Sequence, residues 1–182
     1  MPFKIVEEYF GGEVKVISSH PVLEDKRGFF GVEYRSDEFW RLGLPTQFVQ
    51  DNRSSSVKGT IRGLHFQPEM GKLMKVTKGI AWFVTVDLRQ SSPTFLEWRS
   101  TLVSAENRVQ VWAPWYFARG FAALTDIEVE YKCTQLFDST KDYGICWDDK
   151  FVDVKWPIKH PIVSIKDDNS PTAVQFREKL PR

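Results

Sequence analysis

The sequence predicts an all-β fold, and three observations carry that prediction. Clusters of Gly, Pro, Asp, Asn and Ser interrupt the chain every eight to twelve residues or so, the spacing of a sandwich or barrel of short strands. Between them the runs alternate in polarity or are wholly apolar, and few follow a helical period. Aromatic residues make up 14% of the 182-residue chain, seven of them Trp, and such side chains suit a pleated, half-buried surface.

The elements follow in order. Val14 to Ile17 is a short apolar-alternating run closed by Ser18-Ser19-His20-Pro21. A strand over Gly28 to Tyr34 follows the turn-like Glu24-Asp25-Lys26. Ser36 is placed to cap a short helix over Asp37 to Leu42, which Gly43 ends. Further strands are expected at Phe48 to Asn52, Ile61 to Phe66 and Leu73 to Thr77. Ile80 to Leu88 is apolar almost throughout, which predicts a strand buried on both faces. Glu97 to Val103, Arg108 to Trp112, Phe117 to Leu124 and Glu128 to Thr134 complete the set. Beyond Phe137 periodicity fades, so the tail is expected to pack on a sheet as part of one domain spanning 1–182.

Bulk properties exclude several function classes. A formal charge of +1 argues against nucleic acid or a membrane bound by bulk electrostatics. Hydrophobic residues at 42% and charged residues at 27% describe a globular chain. No apolar run of about 18 residues and no signal-peptide pattern is found, so a cytoplasmic location is expected. Cys133 and Cys146 read as reduced thiols. His20, His65 and His160 are far apart and form no His-x-His pair, so no metal is expected.

The chemistry concentrates at Arg62-Gly63-Leu64-His65-Phe66-Gln67 and the nearby Gly71-Lys72-Leu73. An imidazole with a pKa of about 6.5 accepts a proton at neutral pH. The guanidinium and ammonium beside it can hold a phosphate or an enolate. A histidine on a strand is also commonly structural, and Lys72 with Lys75 also fits a solvated strand edge. Asp87, ending the most apolar strand, is a candidate partner for His65.

Other strings extend the pattern: Arg27-Gly28-Phe29-Phe30, Phe48-Val49-Gln50-Asp51-Asn52, Val86-Asp87-Leu88-Arg89 and Ser91-Ser92-Pro93-Thr94-Phe95. Leu102 to Asn107, Tyr131-Lys132-Cys133-Thr134, Gly144 to Asp149, Trp156-Pro157 and Ser164-Ile165-Lys166-Asp167 follow. In this order the set, spanning about residues 12 to 171, resembles the dTDP-4-dehydrorhamnose 3,5-epimerase family of sugar-nucleotide cupins. The resemblance implies a cupin jelly-roll barrel with short peripheral helices, a homodimer whose exchanged strands complete each site, and no metal or organic cofactor. It implies inversion of carbon 3, carbon 5 or both in a nucleoside-diphospho-4-keto-6-deoxy sugar, in deoxysugar and polysaccharide biosynthesis.

By position, the resemblance makes His65 the base, Asp167 its supporting carboxylate, Tyr131 the proton donor and Lys72 the cation near the keto oxygen. It places Arg27, Gln50, Asn52, Arg62 and Lys166 on sugar, phosphate or nucleoside, and Phe137 against the base. Taken singly, Tyr131 also fits a core edge, Asp167 a turn with Asp168 and Asn169, and Phe137 a core position.

Three positions depart from the family pattern. Pro114-Trp115-Tyr116-Phe117-Ala118-Arg119-Gly120-Phe121 carries Arg119 where the family has histidine. Arginine holds an oxyanion or phosphate but cannot shuttle a proton. Three outcomes stay open: Arg119 replaces the histidine, the substrate or the inverted centres differ, or catalysis is lost and a sugar-nucleotide-binding cupin remains. Val32 occupies the slot of an acidic residue, with Glu33 one step away on the opposite strand face. Asp142 stands where a glutamate near the nucleoside is common. The last two changes leave a GDP- or CDP-linked sugar, inverted at one centre, as an alternative substrate.

Overall fold

The computed structural model describes residues 3–19 and 23–179, so His20 lies outside the described residues. In chain order the strands are β1 (Phe3–Tyr9), β2 (Val14–Ser19), β3 (Leu23–Asp25) and β4 (Gly28–Phe30), then helix α1 (Ser36–Arg41). Next come β5 (Gln50–Ser56), β6 (Ile61–Phe66), β7 (Lys72–Lys78), β8 (Ile80–Asp87), β9 (Trp98–Ser104) and β10 (Val109–Ala113). The chain continues with β11 (Phe117–Ala123), β12 (Ile127–Cys133), the two-residue β13 (Tyr143–Gly144) and the one-turn helix α2 (Ile165–Asp168).

Two antiparallel sheets face each other, ordered β1-β2-β10-β7-β12-β5 and β13-β6-β11-β8-β9, with β3-β4 as a separate hairpin. Alternation explains the layering. Met74 and Val76 from β7, Val111 from β10 and Ile127 and Val129 from β12 meet Phe83, Phe117 and Phe121 from the second sheet. Each large side chain buried this way contributes roughly 1.5–3 kcal/mol.

Both outer faces are partly covered. Phe39 and Leu44 cover Ile17, Leu73 and Trp112 on the larger sheet. Val152, Trp156, Ala173 and Phe176 cover Leu64, Val84, Val86 and Ala118 on the smaller one. The β8 strand is therefore apolar on both faces for the reason its sequence suggests, and the tail packs on the sheet. No helix among the described residues is long and apolar enough to cross a membrane.

Several local expectations change. Ser36 does not cap α1: Arg35 holds that position, without a side-chain cap bond, and Ser36 is the first helical residue. Gly43 does end the helix, at φ +68°. The strand expected over Gly28 to Tyr34 stops at Phe30, and Val32 and Tyr34 instead pack beneath α1. The strand expected at Phe48 to Asn52 begins at Gln50 and runs on to Ser56. The unanticipated β1 carries a register shift between Ile5 and Glu7, which breaks the alternation that would have revealed it.

Candidate active site

His65 on β6 pairs across the ladder with Arg119 on β11. The two strands approach closely because both carry glycine at the contact. Gly63 adopts φ +144°, and a Cβ there would lie 2.7 Å from the Gly120 Cα. Inside, between the sheets, Arg62, His65, Lys72, Arg119 and Tyr131 line one cavity of about 150 Å³. A cleft of about 480 Å³ shares Arg62 and His65 with it and adds Ser164, Lys166 and Asp167.

The partner of His65 is Asp167, whose Oδ1 lies 2.6 Å from Nε2. Asp87 is not available to it. That carboxylate is fully buried and taken by Arg89, Ser92 and Thr94. Ser164 fixes Asp167 in place: its hydroxyl accepts the Asp167 backbone N–H at 3.1 Å and caps α2. Burial opposes ionisation of Asp167. Hydrogen bonding and charge from His65, with the Gly63 N–H and Ser164, outweigh it and hold the carboxyl below its ordinary range. An ionised carboxylate only accepts, so Nε2 donates to it, and in the neutral imidazole the lone pair is then on Nδ1.

Across the cavity, burial, then the neighbouring Cys133, raise the pKa of Tyr131, so the phenol stays protonated at neutral pH. Lys72 Nζ sits 4.9 Å from the Tyr131 ring centre. Burial first, then repulsion from Arg119, lowers Lys72 to about 8. Arg119 is buried, with a pKa brought down by that burial to about 10, so it remains charged at neutral pH.

The other expected residues are not all brought to the cavity. Arg62 is held at the rim by Ser56 Oγ at 2.9 Å and the Ser55 carbonyl at 3.0 Å. Gln50 donates to Asn52 Oδ1 at 3.0 Å and accepts the Phe137 backbone N–H at 2.8 Å, and Asn52 reaches Cys133 Sγ at 3.7 Å. Lys166 and Asp142 are in direct contact with each other. Arg27 is not brought to the cavity: it stands on the β3-β4 hairpin, exposed, and binds Asp25 at 2.6 Å. Glu33 binds Lys75 at 3.0 Å on the outer face of the larger sheet, away from His65.

Two contributors escaped sequence reasoning. Buried Gln67 donates to the Leu136 carbonyl at 3.0 Å and accepts the Asp138 N–H at 3.1 Å, so it pins the loop that carries Phe137. Ser164 was legible in principle, since Ser-x-x-Asp is a helix-start pattern. Among the described residues no group of three or more His, Cys, Asp or Glu is arranged to hold a metal. Both cysteines are free thiols.

The model of the dTDP-4-dehydrorhamnose 3,5-epimerase family matches residues 13–175. The chain belongs to this family. A dTDP-4-dehydrorhamnose 3,5-epimerase of Methanothermobacter thermautotrophicus is 42% identical over 173 residues, which is 92% of each chain. Among solved structures, the Legionella pneumophila dTDP-6-deoxy-D-glucose-3,5-epimerase in complex with dTDP-4-keto-L-rhamnose superposes with a TM-score of 0.93. It is 35% identical and covers 99% of this chain and 98% of its own. The Bacillus anthracis dTDP-4-dehydrorhamnose 3,5-epimerase, with TDP and PPi bound, gives 0.89 at 40% identity, over 93% of this chain and 99% of its own. The two facing sheets are thus a cupin jelly roll, and the family's members are isomerases.

Proposed function

We propose that this protein epimerises a dTDP-4-keto-6-deoxy sugar by moving protons through His65 and Tyr131. The chemistry begins with a hydrogen on the carbon beside the 4-keto group, which is only weakly acidic. His65 takes that proton at Nδ1, the C–H electrons move into the ring, and the keto oxygen becomes an enolate. Asp167 keeps the imidazole in the tautomer that can accept and stabilises the imidazolium that forms. Lys72 supports the oxygen as its charge grows. Tyr131 then protonates the carbon from the opposite face, which inverts it.

The observation that carries this reading is one cavity with an Asp167-supported imidazole, a protonated phenol and three cations around it. Gln50, Asn52, Arg62, Phe137, Asp142 and Lys166 serve the nucleotide at the rim. Arg27 serves it from a second copy of the chain. In support of a homodimer, the hairpin that bears Arg27 leaves Phe29 and Phe30 60% and 67% exposed, an apolar pair suited to a partner surface.

Two measurements test the proposal. With dTDP-4-keto-6-deoxyglucose in deuterium oxide, the wild type should place deuterium at carbons 3 and 5, and His65→Asn should place none. Tyr131→Phe should lose inversion at one centre while exchange at the other continues. Deuterium uptake independent of His65 would sink the assignment. For the dimer, mixing Arg27→Ala with His65→Asn should restore activity, because a mixed dimer in which the hairpin crosses over has one intact site. Failure of mixed dimers to recover would place Arg27 outside the partner's site.

A further inference from the structure

Arg119 is a buried cation whose best hydrogen-bonding edge meets no protein acceptor. Its side chain is nine-tenths or more buried, and Nη1 donates to the carbonyls of Met70 at 2.8 Å and Ala113 at 3.4 Å. Nε and Nη2 are also buried and have no partner among the described residues. These two nitrogens form the side-on fork of a guanidinium, the edge that fits two acceptor lone pairs at once. At two other arginines that edge is used on a carboxylate: Arg89 presents Nε and Nη2 to Asp87, and Arg35 presents them to Asp37. Arg119 lines the cavity that holds His65, and among the described residues its fork has no acceptor.

The electrostatics point the same way. The groups that act on Arg119 are Cys133 and Tyr131, with no carboxylate among them, and Lys72 beside it is a second cation. Arg62, Lys72 and Arg119 bring three positive charges to a space of about 150 Å³ whose described lining includes no carboxylate, which fits an anionic oxygen supplied by the ligand. Arg62 and Lys166, each engaged with neighbours at the mouth, are better placed for a diphosphate. Arg119 is the ladder partner of His65 and lies where the sugar's reacting end must be.

We propose that Arg119 is a catalytic residue whose Nε–H and Nη2–H receive the 4-oxygen as it becomes an enolate. The inference rests on the epimerase reading of the same site. The fork gains most after His65 has taken the proton, because the oxygen then carries the charge. That is stabilisation of the transition state in preference to the bound ketone. The arginine stays protonated throughout, so it adds no proton transfer to the sequence of steps.

The test compares the wild type with Arg119→Gln, Arg119→Lys and Arg119→Ala. Deuterium uptake into dTDP-4-keto-6-deoxyglucose is followed by NMR, and affinity for dTDP by calorimetry. Arg119→Gln should slow uptake by about 10²–10³-fold, as loss of one oxyanion donor does elsewhere, while dTDP binds as before. Arg119→Lys keeps a cation for the Met70 carbonyl but loses the fork, and should be slowed too. Added guanidinium should restore part of the rate to Arg119→Ala, which guards against reading a folding defect as a chemical one. Full uptake in Arg119→Gln or Arg119→Lys would overturn the inference and leave the epimerase standing. Loss of dTDP affinity in step with uptake would also overturn it, by making the diphosphate the occupant. Absence of uptake in a wild type that binds dTDP would instead remove the epimerase reading itself.

Discussion

Asp87 and Asp167 are both buried carboxylates, both held below the ordinary carboxylate range, and only Asp167 is bonded to a residue that lines the cavity. Asp87 accepts five hydrogen bonds: three from Arg89, one each from Ser92 and Thr94. None of these donors gives up its role near neutral pH, so the cluster locks the end of β8 to the following turn. Asp167 has one strong side-chain partner, and it is a part-exposed imidazole that lines a cavity. The difference teaches that burial and a lowered pKa do not mark a functional carboxylate. What sets Asp167 apart is that its partner lines the cavity and is of a side-chain type that can accept a proton.

The sharpest way to break the comparison is to convert each carboxylate to its amide. Asp167→Asn removes the charge that holds His65 in the accepting tautomer. Deuterium uptake should fall by about 10²–10⁴-fold, as in other His–Asp pairs, with the fold retained. The pH dependence has a definite sign. The contribution of Asp167 to stability is present above the unfolded carboxyl pKa and is lost as pH falls through the lower folded value. The stability gap between wild type and Asp167→Asn should therefore close on acidification, which denaturant titrations at several pH values would reveal.

Asp87→Asn should do the reverse. Breaking a buried ion pair by removing one partner costs roughly 3–5 kcal/mol. In a chain of this size each kcal/mol lowers Tm by about 2–4 °C. Uptake per folded molecule should be unchanged, because Asp87 is outside the cavity. A variant that kept its Tm and lost activity would reverse the roles assigned to the two carboxylates.

The sequence carried much of this: the resemblance named Asp167 as the partner of His65, while periodicity and spacing alone did not choose between it and Asp87. His65, Lys72, Arg119 and Tyr131 stand in recognisable strings on strands whose alternation points them inward, so four walls of the cavity were legible. Asp167 is 102 residues from His65 in sequence and belongs to a tail with no periodicity. Only the packing of α2 against β6 decides that it reaches the imidazole and Asp87 does not. The unpartnered fork of Arg119 was likewise beyond reach, since an arginine's pairing depends on which carboxylates the fold delivers. Arg27 shows the opposite case: its string was plain, yet its own chain does not bring it to the site. The β1 strand was hidden by the irregularity at Ile5 and Glu7.

The smallest effect, and the one that tests how far the cavity is organised at the expense of stability, belongs to Lys72. Burial first, then Arg119 and Lys166, disfavour its charge, while Cys133 and Asp142 favour it, and its pKa falls from 10.5 to about 8. Between those two values the unfolded chain binds a proton that the folded chain has released, so this group makes stability rise with pH across that window. At pH 7 both states are protonated and the folded state bears the full penalty of burying the ammonium. Methionine fills similar space without charge. Lys72→Met should therefore stabilise the protein at pH 7 by about 1–3 kcal/mol, the usual range for relieving a poorly compensated buried polar group. The gain should fade as pH approaches 10.5, and deuterium uptake should drop even as Tm rises. A lower Tm at pH 7 would mean that Lys72 is compensated by the fold as Arg89 is, and would move it to the structural side of the comparison.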